Sequence, residues 1–458
     1  MVIPTTESAG NLLSKPGNEL PAEFQRQQVE CEDLTAEFND KFVDFSKQFY
    51  HIYAVRLAEL REVLLPRVDA KWKNIQILKL AELDDFEGQD CVIIGTLYKH
   101  QKWKPSILQE LSEDHQLTLP EPKPNYCSEN DQLYLEDEML RIKLVVRDED
   151  LKNYVTGVVC AILGHKEKDG NFVTKDWCFP GCMPRSMLVE SKSRGKLVFL
   201  SGLDLVNSSQ KLSLNLLTEW ICGMAGDATA QEDATSITRI IIAGNSVKAV
   251  TKTNTLMGHA EGKAQDAAIV KEVVVATDLV DKFLAEIAKC CPITLMPGQH
   301  DPTNAMLPQK PLHPCILPLT SRFYSFKGAT NPWIGRVAGR IIMGTSGQPI
   351  EDIAKVTGAT DISPLEWLER TLLWKHMCPT TPDTLPVQPY FAKDPFIINH
   401  CPDVYFVGNT DKAETKLWKG EENQEVRLLC VPKFFSTHTA VIVSMDTLDA
   451  EFICFGAG

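Results

Sequence analysis

From residue 196 to residue 456 the chain repeats one device: a short, unbroken apolar run that stops at small or polar residues. The runs are KLVFLSGL (196–203), TRIIIAGN (238–245), ITLMPG (293–298), GRIIMGTSG (339–347), DVYFVGN (403–409), VRLLCVP (426–432), TAVIVSMD (439–446) and EFICFG (451–456). A strand with one wet face alternates apolar and polar residues. These do not alternate, so they belong to sheets covered on both faces. Helical periodicity fills the spaces at 210–223, 262–290 and 364–377. In the second, Val270, Val273, Val274, Leu279, Val280, Phe283, Leu284 and Ile287 make a band too broad for a surface helix, which is expected to pack on the sheet. The fold class is α/β, a sheet sandwich flanked by helices.

The first 190 residues read differently. Residues 1–35 are rich in Pro, Glu, Gln, Ser and Asn, and a disordered tail is expected there. In residues 46–72, Phe49, Ile52, Tyr53, Leu57, Leu60, Leu64 and Val68 recur at helical steps, with Pro66 expected to end or bend the helix. The segments 91–99, 132–146 and 153–179 are β-rich, with a hairpin signal at Asp169-Gly170 and a turn at 135–138. Roughly five strands with one longer interruption suggest a small barrel of the oligonucleotide/oligosaccharide-binding (OB) type. The expected division is therefore a tail at 1–35, a helix and OB-fold domain at 36–190, and an α/β domain at 191–458, joined by a serine-rich link around Pro184–Arg194.

Composition narrows the function classes. A chain of 458 residues allows two or three domains, and 44% apolar with 24% charged residues is ordinary for a soluble protein. No apolar run approaches the ~18–20 residues of a membrane span, and no signal peptide is expected at the start. The 14 cysteines include no C-x-x-C pair, so reduced thiols are expected, with Cys290-Cys291 as packing residues. A net charge of −14 and the lack of a run of five basic residues argue against autonomous grip on a nucleic-acid backbone. The densest basic stretch, KHQKWK (99–104), reads as a solvated turn between strands.

Five strands end in SGL, GNS, GQHD, GTSGQ and GNTD, and ligands of α/β sheets bind beyond the carboxyl ends of strands. The order of these ends resembles the calcineurin-like metallophosphoesterases, whose D-x-H, G-D-x-x-D, G-N-H-[DE], lone His and G-H-x-H hold two metal ions. Carried over residue by residue, the resemblance puts Ser201 and Leu203 at the first motif and Asn245 and Lys248 at the second. Gln299, His300 and Asp301 fall at the third, Ser346 near the lone His, and Asn409 and Asp411 at the last. Divalent metals of this kind need carboxylate oxygen and imidazole nitrogen. Only His300 survives in type, so the resemblance implies a degenerate cleft with no catalytic residue, metal or cofactor. Its loop is expected to be kept for shape, Pro297-Gly298 turning the chain and Asp301 capping the residues after it.

An inactivated phosphoesterase domain behind an OB-like barrel resembles the B-subunit family of replicative DNA polymerases. QFYHIYAVRL (48–57), PSILQELSEDHQL (105–117), MPGQHDPTNAMLPQKPLHPC (296–315), TTPDTLPVQPYFAKDPFI (380–397) and CPDVYFVGNT (401–410) are similar to its delta branch over roughly residues 40–458. The resemblance implies a nuclear, non-catalytic scaffold for replication and repair synthesis. It implies two partners: the cysteine-rich C-terminal domain of the polymerase delta catalytic subunit, and the third delta subunit, which reaches the sliding clamp. Weak or no DNA binding of its own is expected. The alternative is an active metallophosphoesterase or nuclease subunit, as in the similar archaeal small subunits.

Overall fold

A computed structural model describes residues 25–38, 44–46, 48–104, 125–185, 195–206, 211–248 and 262–456. Among them the chain enters through β1 (Cys31–Asp33), which pairs antiparallel with β12 (Trp333–Val337) at the edge of a distant sheet. This corrects the expected 1–35 tail at its end. Arg26 donates to the carbonyls of Ile221 and Ile237, and Phe38 is buried, so residues 25–38 belong to the folded body. Residues 1–24, and 186–194 around the expected domain boundary, lie outside the described residues.

Helix α1 (Tyr50–Lys71) comes next, and it runs through Pro66 rather than ending there. Pro66 and Glu62 are both exposed, so the carbonyl that loses its amide partner faces water and the helix tolerates the ring. Ile52, Leu57, Leu60, Leu64 and Val68 form the buried stripe. The stripe lies mainly on the outside of a barrel of β3 (Cys91–His100), β4 (Gln132–Glu136), β5 (Arg141–Val145), β6 (Val159–Lys166) and β7 (Phe172–Cys178). The order is β3-β4-β5-β7-β6, and β6 returns to pair with β3, so the sheet closes. Short β2 (Ile77–Leu78) adds to β3, and helix α2 (Asp148–Asn153) interrupts the barrel between β5 and β6. Asp169-Gly170 makes the β6–β7 turn, with Gly170 at φ 88°. The β4–β5 turn falls at 137–140, where the Asp137 carboxylate accepts the amides of Met139 and Leu140.

The α/β part is two mixed six-stranded sheets face to face. One contains β8 (Lys196–Leu200), β9 (Ile237–Ala243), β10 (Ile293–Met296) and β11 (Phe326–Gly328) in parallel, with β17 (Thr439–Ser444) and β18 (Ala450–Cys454) antiparallel beyond β8. The other runs β1-β12-β13-β14-β16-β15, where β13 (Arg340–Thr345), β14 (Val404–Thr410) and β16 (Glu425–Pro432) are parallel and β15 (Glu414–Lys419) is the edge. Leu197, Phe199, Ile241, Trp333, Ile342, Phe406 and Leu429 fill the space between the sheets. The alternate residues Val198, Leu200, Ile240 and Ile242 face helices α3 (Lys211–Ile221) and α5 (Gly262–Ala288). A short α4 (Ala228–Thr235) precedes β9. On the outside of the second sheet lie α6 (Gln348–Thr357) and α7 (Pro364–Leu373); α8 (Phe434–Thr437) comes after β16. Both faces of the central strands are covered, as their lack of alternation requires.

Barrel and sandwich share one core. Leu97, Leu133 and Ile162 of the barrel are continuous with Trp367, Leu372 and Tyr405. Two lysines of the basic stretch at 99–104 are used in this contact. Lys99 is buried and its Nζ donates to the carbonyls of Leu151 and Val356, while Lys104 pairs with Asp383. The expected solvated turn holds for Lys102 and Trp103, which are exposed, and is corrected for Lys99, because carbonyls from two elements replace water around its ammonium.

Candidate functional site

The parallel strands of both sheets end at one place. Residues 201, 245, 299–301, 346 and 409–411 stand at the ends of β8, β9, β10, β13 and β14, and Ser201 forms a β-bridge to Lys433 beyond β16. A cleft of about 560 Å³ opens there, and Asn245, Gln299, His300, Ser346, Asn409 and Asp411 all line it. Ser201, Leu203, Lys248 and Asp301 are not in its lining. Leu203 is buried in the apolar layer under α3 and α5.

Most of the remaining polar groups are held by the protein itself, although Asn409 Oδ1 is buried without a hydrogen-bond partner. The Ser201 hydroxyl lies 3.0 Å from the carbonyls of Val431 and Pro432 and accepts the Asn409 amide at 2.8 Å. Asn409 has φ 60°, a left-handed conformation that Asn tolerates. Its Nδ2 donates to the carbonyls of Ala243 (3.0 Å) and Ser346 (2.7 Å), so one carboxamide ties the two sheets together. Asn245, at φ 54°, accepts the His300 amide on Oδ1 at 3.1 Å. Its side chain sits against Gly298, where any Cβ would lie 2.2 Å from that oxygen. Ser346 joins a net of amides: its N–H donates to Asn331 Oδ1, Asn331 Nδ2 donates to Gln309 Oε1 at 2.8 Å, and Gln348 Nε2 donates to the same oxygen at 2.9 Å. Gln309, Asn331 and Gln348 were missed in the sequence; Gln309 stands inside the string 296–315, but no spacing marks it.

The carboxylates are engaged as well. Asp301 is buried, with Oδ1 accepting the Val247 amide and Oδ2 the Gly298 amide, both at 2.9 Å. Burial pushes its pKa up, against the pull of those amides. It clamps the loops that precede it rather than capping the residues after it, which corrects the expectation. Asp411 pairs with Lys433 at 2.7 Å, and Glu351 with Lys355 at 2.9 Å, all on the cleft wall. His300 titrates below its ordinary value, first through burial; Lys248 acts in the same direction and Glu351 against it. Among the described residues no group of three or more His, Cys, Asp or Glu could hold a metal ion. Neutral carboxamides facing lysines favour neither a dication nor a metal-bound hydroxide.

With this geometry in hand, relatives fall into a consistent set. A family model described as DNA polymerase delta subunit OB-fold domain matches residues 48–177, and one that describes the B subunit of DNA polymerase alpha/epsilon matches residues 197–416. The DNA polymerase delta subunit 2 of Drosophila melanogaster is 39% identical over 434 residues, which covers 94% of this chain and 98% of that one. The chain belongs to the DNA polymerase delta small-subunit family. The Saccharomyces cerevisiae delta small subunit is 30% identical, covering 90% of each chain. Similarity to the DNA polymerase II small subunit of Pyrococcus horikoshii is 25% over 206 residues, 44% of this chain and 31% of that one. The delta-family strings in the sequence also meet in space. Arg56, from 48–57, bonds to Thr381 and Asp394, from 380–397.

Proposed function

We propose that this chain is a non-catalytic scaffold subunit of the DNA polymerase delta holoenzyme, acting in the nucleus in replication and repair synthesis. In this reading it links the C-terminal domain of the catalytic subunit to the third subunit, and through it to the sliding clamp. The α/β domain is read as a calcineurin-like phosphoesterase fold that keeps its cleft without its chemistry. One observation carries this: Asp301, the buried carboxylate left at the strand ends, is already occupied by two backbone amides, and Asp411 stands exposed beside Lys433. The family membership supplies the polymerase context, and the shared core of barrel and sandwich supplies a rigid body on which partners could be held in fixed relation.

The test uses the full chain. Elemental analysis should find no stoichiometric manganese, zinc or iron, and phosphodiester hydrolysis with manganese should be near zero in wild type and in His300→Ala alike. The chain should bind the catalytic subunit's C-terminal domain, and His300→Ala should leave DNA synthesis by the assembled polymerase unchanged. Metal-dependent hydrolysis that disappears in His300→Ala would replace the scaffold reading with that of an active nuclease subunit.

A further inference from the structure

Most cysteines here sit apart from one another, but two pairs do not. Cys182 and Cys401 lie 3.6 Å apart at sulfur, and both are buried, at 5% and 9% exposure. Cys222 and Cys290 are closer, 3.1 Å between sulfurs, and both are half-buried. Cys222 comes immediately after α3, and Cys290 lies two residues beyond α5. The Arg26 guanidinium is fixed beside them by the carbonyls of Ile221 (2.5 Å) and Ile237 (2.7 Å). Two sulfurs in contact, open to small solutes and next to a fixed cation, make a reactive dithiol. We propose that Cys222 and Cys290 are a redox site at which a peroxide closes a disulfide across the ends of α3 and α5.

The chemistry rests on the two environments. Cys290 is held below the ordinary thiol pKa, first by its hydrogen bond with Cys222 and also by Arg26, against burial and Cys291. The same bond pushes Cys222 up, with burial acting in the same direction. When neutral, Cys290 can donate to the Ile287 carbonyl at 3.2 Å. The Cys290 thiolate attacks hydrogen peroxide: an S–O bond forms, the O–O bond breaks, hydroxide leaves, and sulfur is oxidised by two electrons. Cys222 sulfur then attacks that sulfenic sulfur. The S–S bond forms, the S–O bond breaks, and water leaves with the Cys222 proton. Two thiols and one peroxide give one disulfide and two waters. Reaching a bonded S–S separation of about 2.05 Å takes roughly half an ångström from each sulfur, a small side-chain movement. Cys182 and Cys401 are spared because peroxide cannot reach them.

The experiment treats the reduced full chain with hydrogen peroxide and maps non-reduced peptides by mass spectrometry. The expected result is a peptide joining Cys222 to Cys290, lighter by two hydrogens and reversed by dithiothreitol, with a raised thermal midpoint in the oxidised chain. Cys222→Ser should leave a Cys290 sulfenic acid that dimedone traps, and Cys290→Ser should abolish the cross-link. Reaction confined to the exposed Cys315 and Cys454, or separate oxidation of Cys222 and Cys290 to sulfinic acids without a cross-link, would overturn the proposal.

Discussion

Asp301 accepts one backbone amide from each of two loops, and removing its carboxylate would strand both donors in a dry place. An unsatisfied buried group costs about 1–3 kcal/mol, so Asp301→Ala should lower stability by at least that much in urea unfolding, and Asp301→Asn by less. A loss under about 0.5 kcal/mol, the surface range, would mean that water reaches those amides. His300 is only half-buried on the cleft wall, and His300→Ala should cost less than Asp301→Ala. At this scale the strand ends were legible: Asn245, Gln299, His300, Ser346, Asn409 and Asp411, read from the sequence, all line one cleft. The net of carboxamides beside them was not legible. Gln309, Asn331 and Gln348 meet only because the connection between β10 and β11, the entry to β12 and the start of α6 converge, and carboxamides carry no pattern of their own.

Helix α5 shows where periodicity and burial part. Ala276, Val280, Leu284 and Ile287 are buried against the sheet, but Val270 and Val274 are 60% and 61% exposed and Leu279 is 38% exposed. The expectation that the whole apolar band packs on the sheet is therefore corrected: one stripe does, and the rest faces outward. Phe283 is only partly buried, on the wall of a groove shared with Leu214 of α3. Leu284→Ala should cost about 2–5 kcal/mol in chemical denaturation, and Phe283→Ala clearly less. Equal losses would place the ring in the core. The eight long apolar runs all became strands. Seven of them are buried, as the lack of alternation requires, but β18 is a mostly exposed edge strand held by pairing with β17, which corrects the expectation of two covered faces for that run. The edge strands β1, β11 and β15 were not legible. They are short or half-wet, and β15 (ETKLWK) is stabilised by pairing with β16 rather than by a face of its own. Helix α6 was missed because Pro349 stands in its first turn, where a missing amide is harmless.

The molecule is held as one body by a buried polar latch. Arg56 of α1 has no exposed surface; its Nε pairs with Asp394 Oδ2 at 2.6 Å, and its other nitrogens reach the carbonyls of Gly157, Pro379 and Thr381. Helix, barrel loop and sandwich thus meet at one guanidinium. Arg56→Met should destabilise by about 3–5 kcal/mol, because it leaves Asp394 buried without its counter-charge. The third member of the latch makes it pH-dependent. Cys378 donates its amide to His376 Nδ1 at 3.1 Å, so the ring proton sits on Nε2 and is donated to Asp394 at 2.9 Å. Burial, helped by Arg56 and opposed by Asp394, lowers the His376 pKa to about 4. An unfolded His titrates near 6.5. Above that value both states leave it neutral and its contribution to folding is fully present. As pH falls from about 6.5 to about 4 the unfolded chain takes up a proton that the folded chain refuses, so stability is lost across that window, on the order of 3 kcal/mol in all. Asp394 adds to the loss only lower down. Its folded pKa is depressed, with the Arg56 and His376 interactions outweighing burial, so its share fades below the ordinary carboxylate value of about 3.9. Urea unfolding of wild type and His376→Gln at pH 7, 6, 5 and 4.5 should give two curves, with the wild type losing stability more steeply by about one proton's worth. Parallel curves would mean that His376 takes up its proton over the same pH range in the folded and the unfolded chain, and a wild type that gains on the mutant as pH falls would mean that the folded chain holds His376 as a cation paired with Asp394.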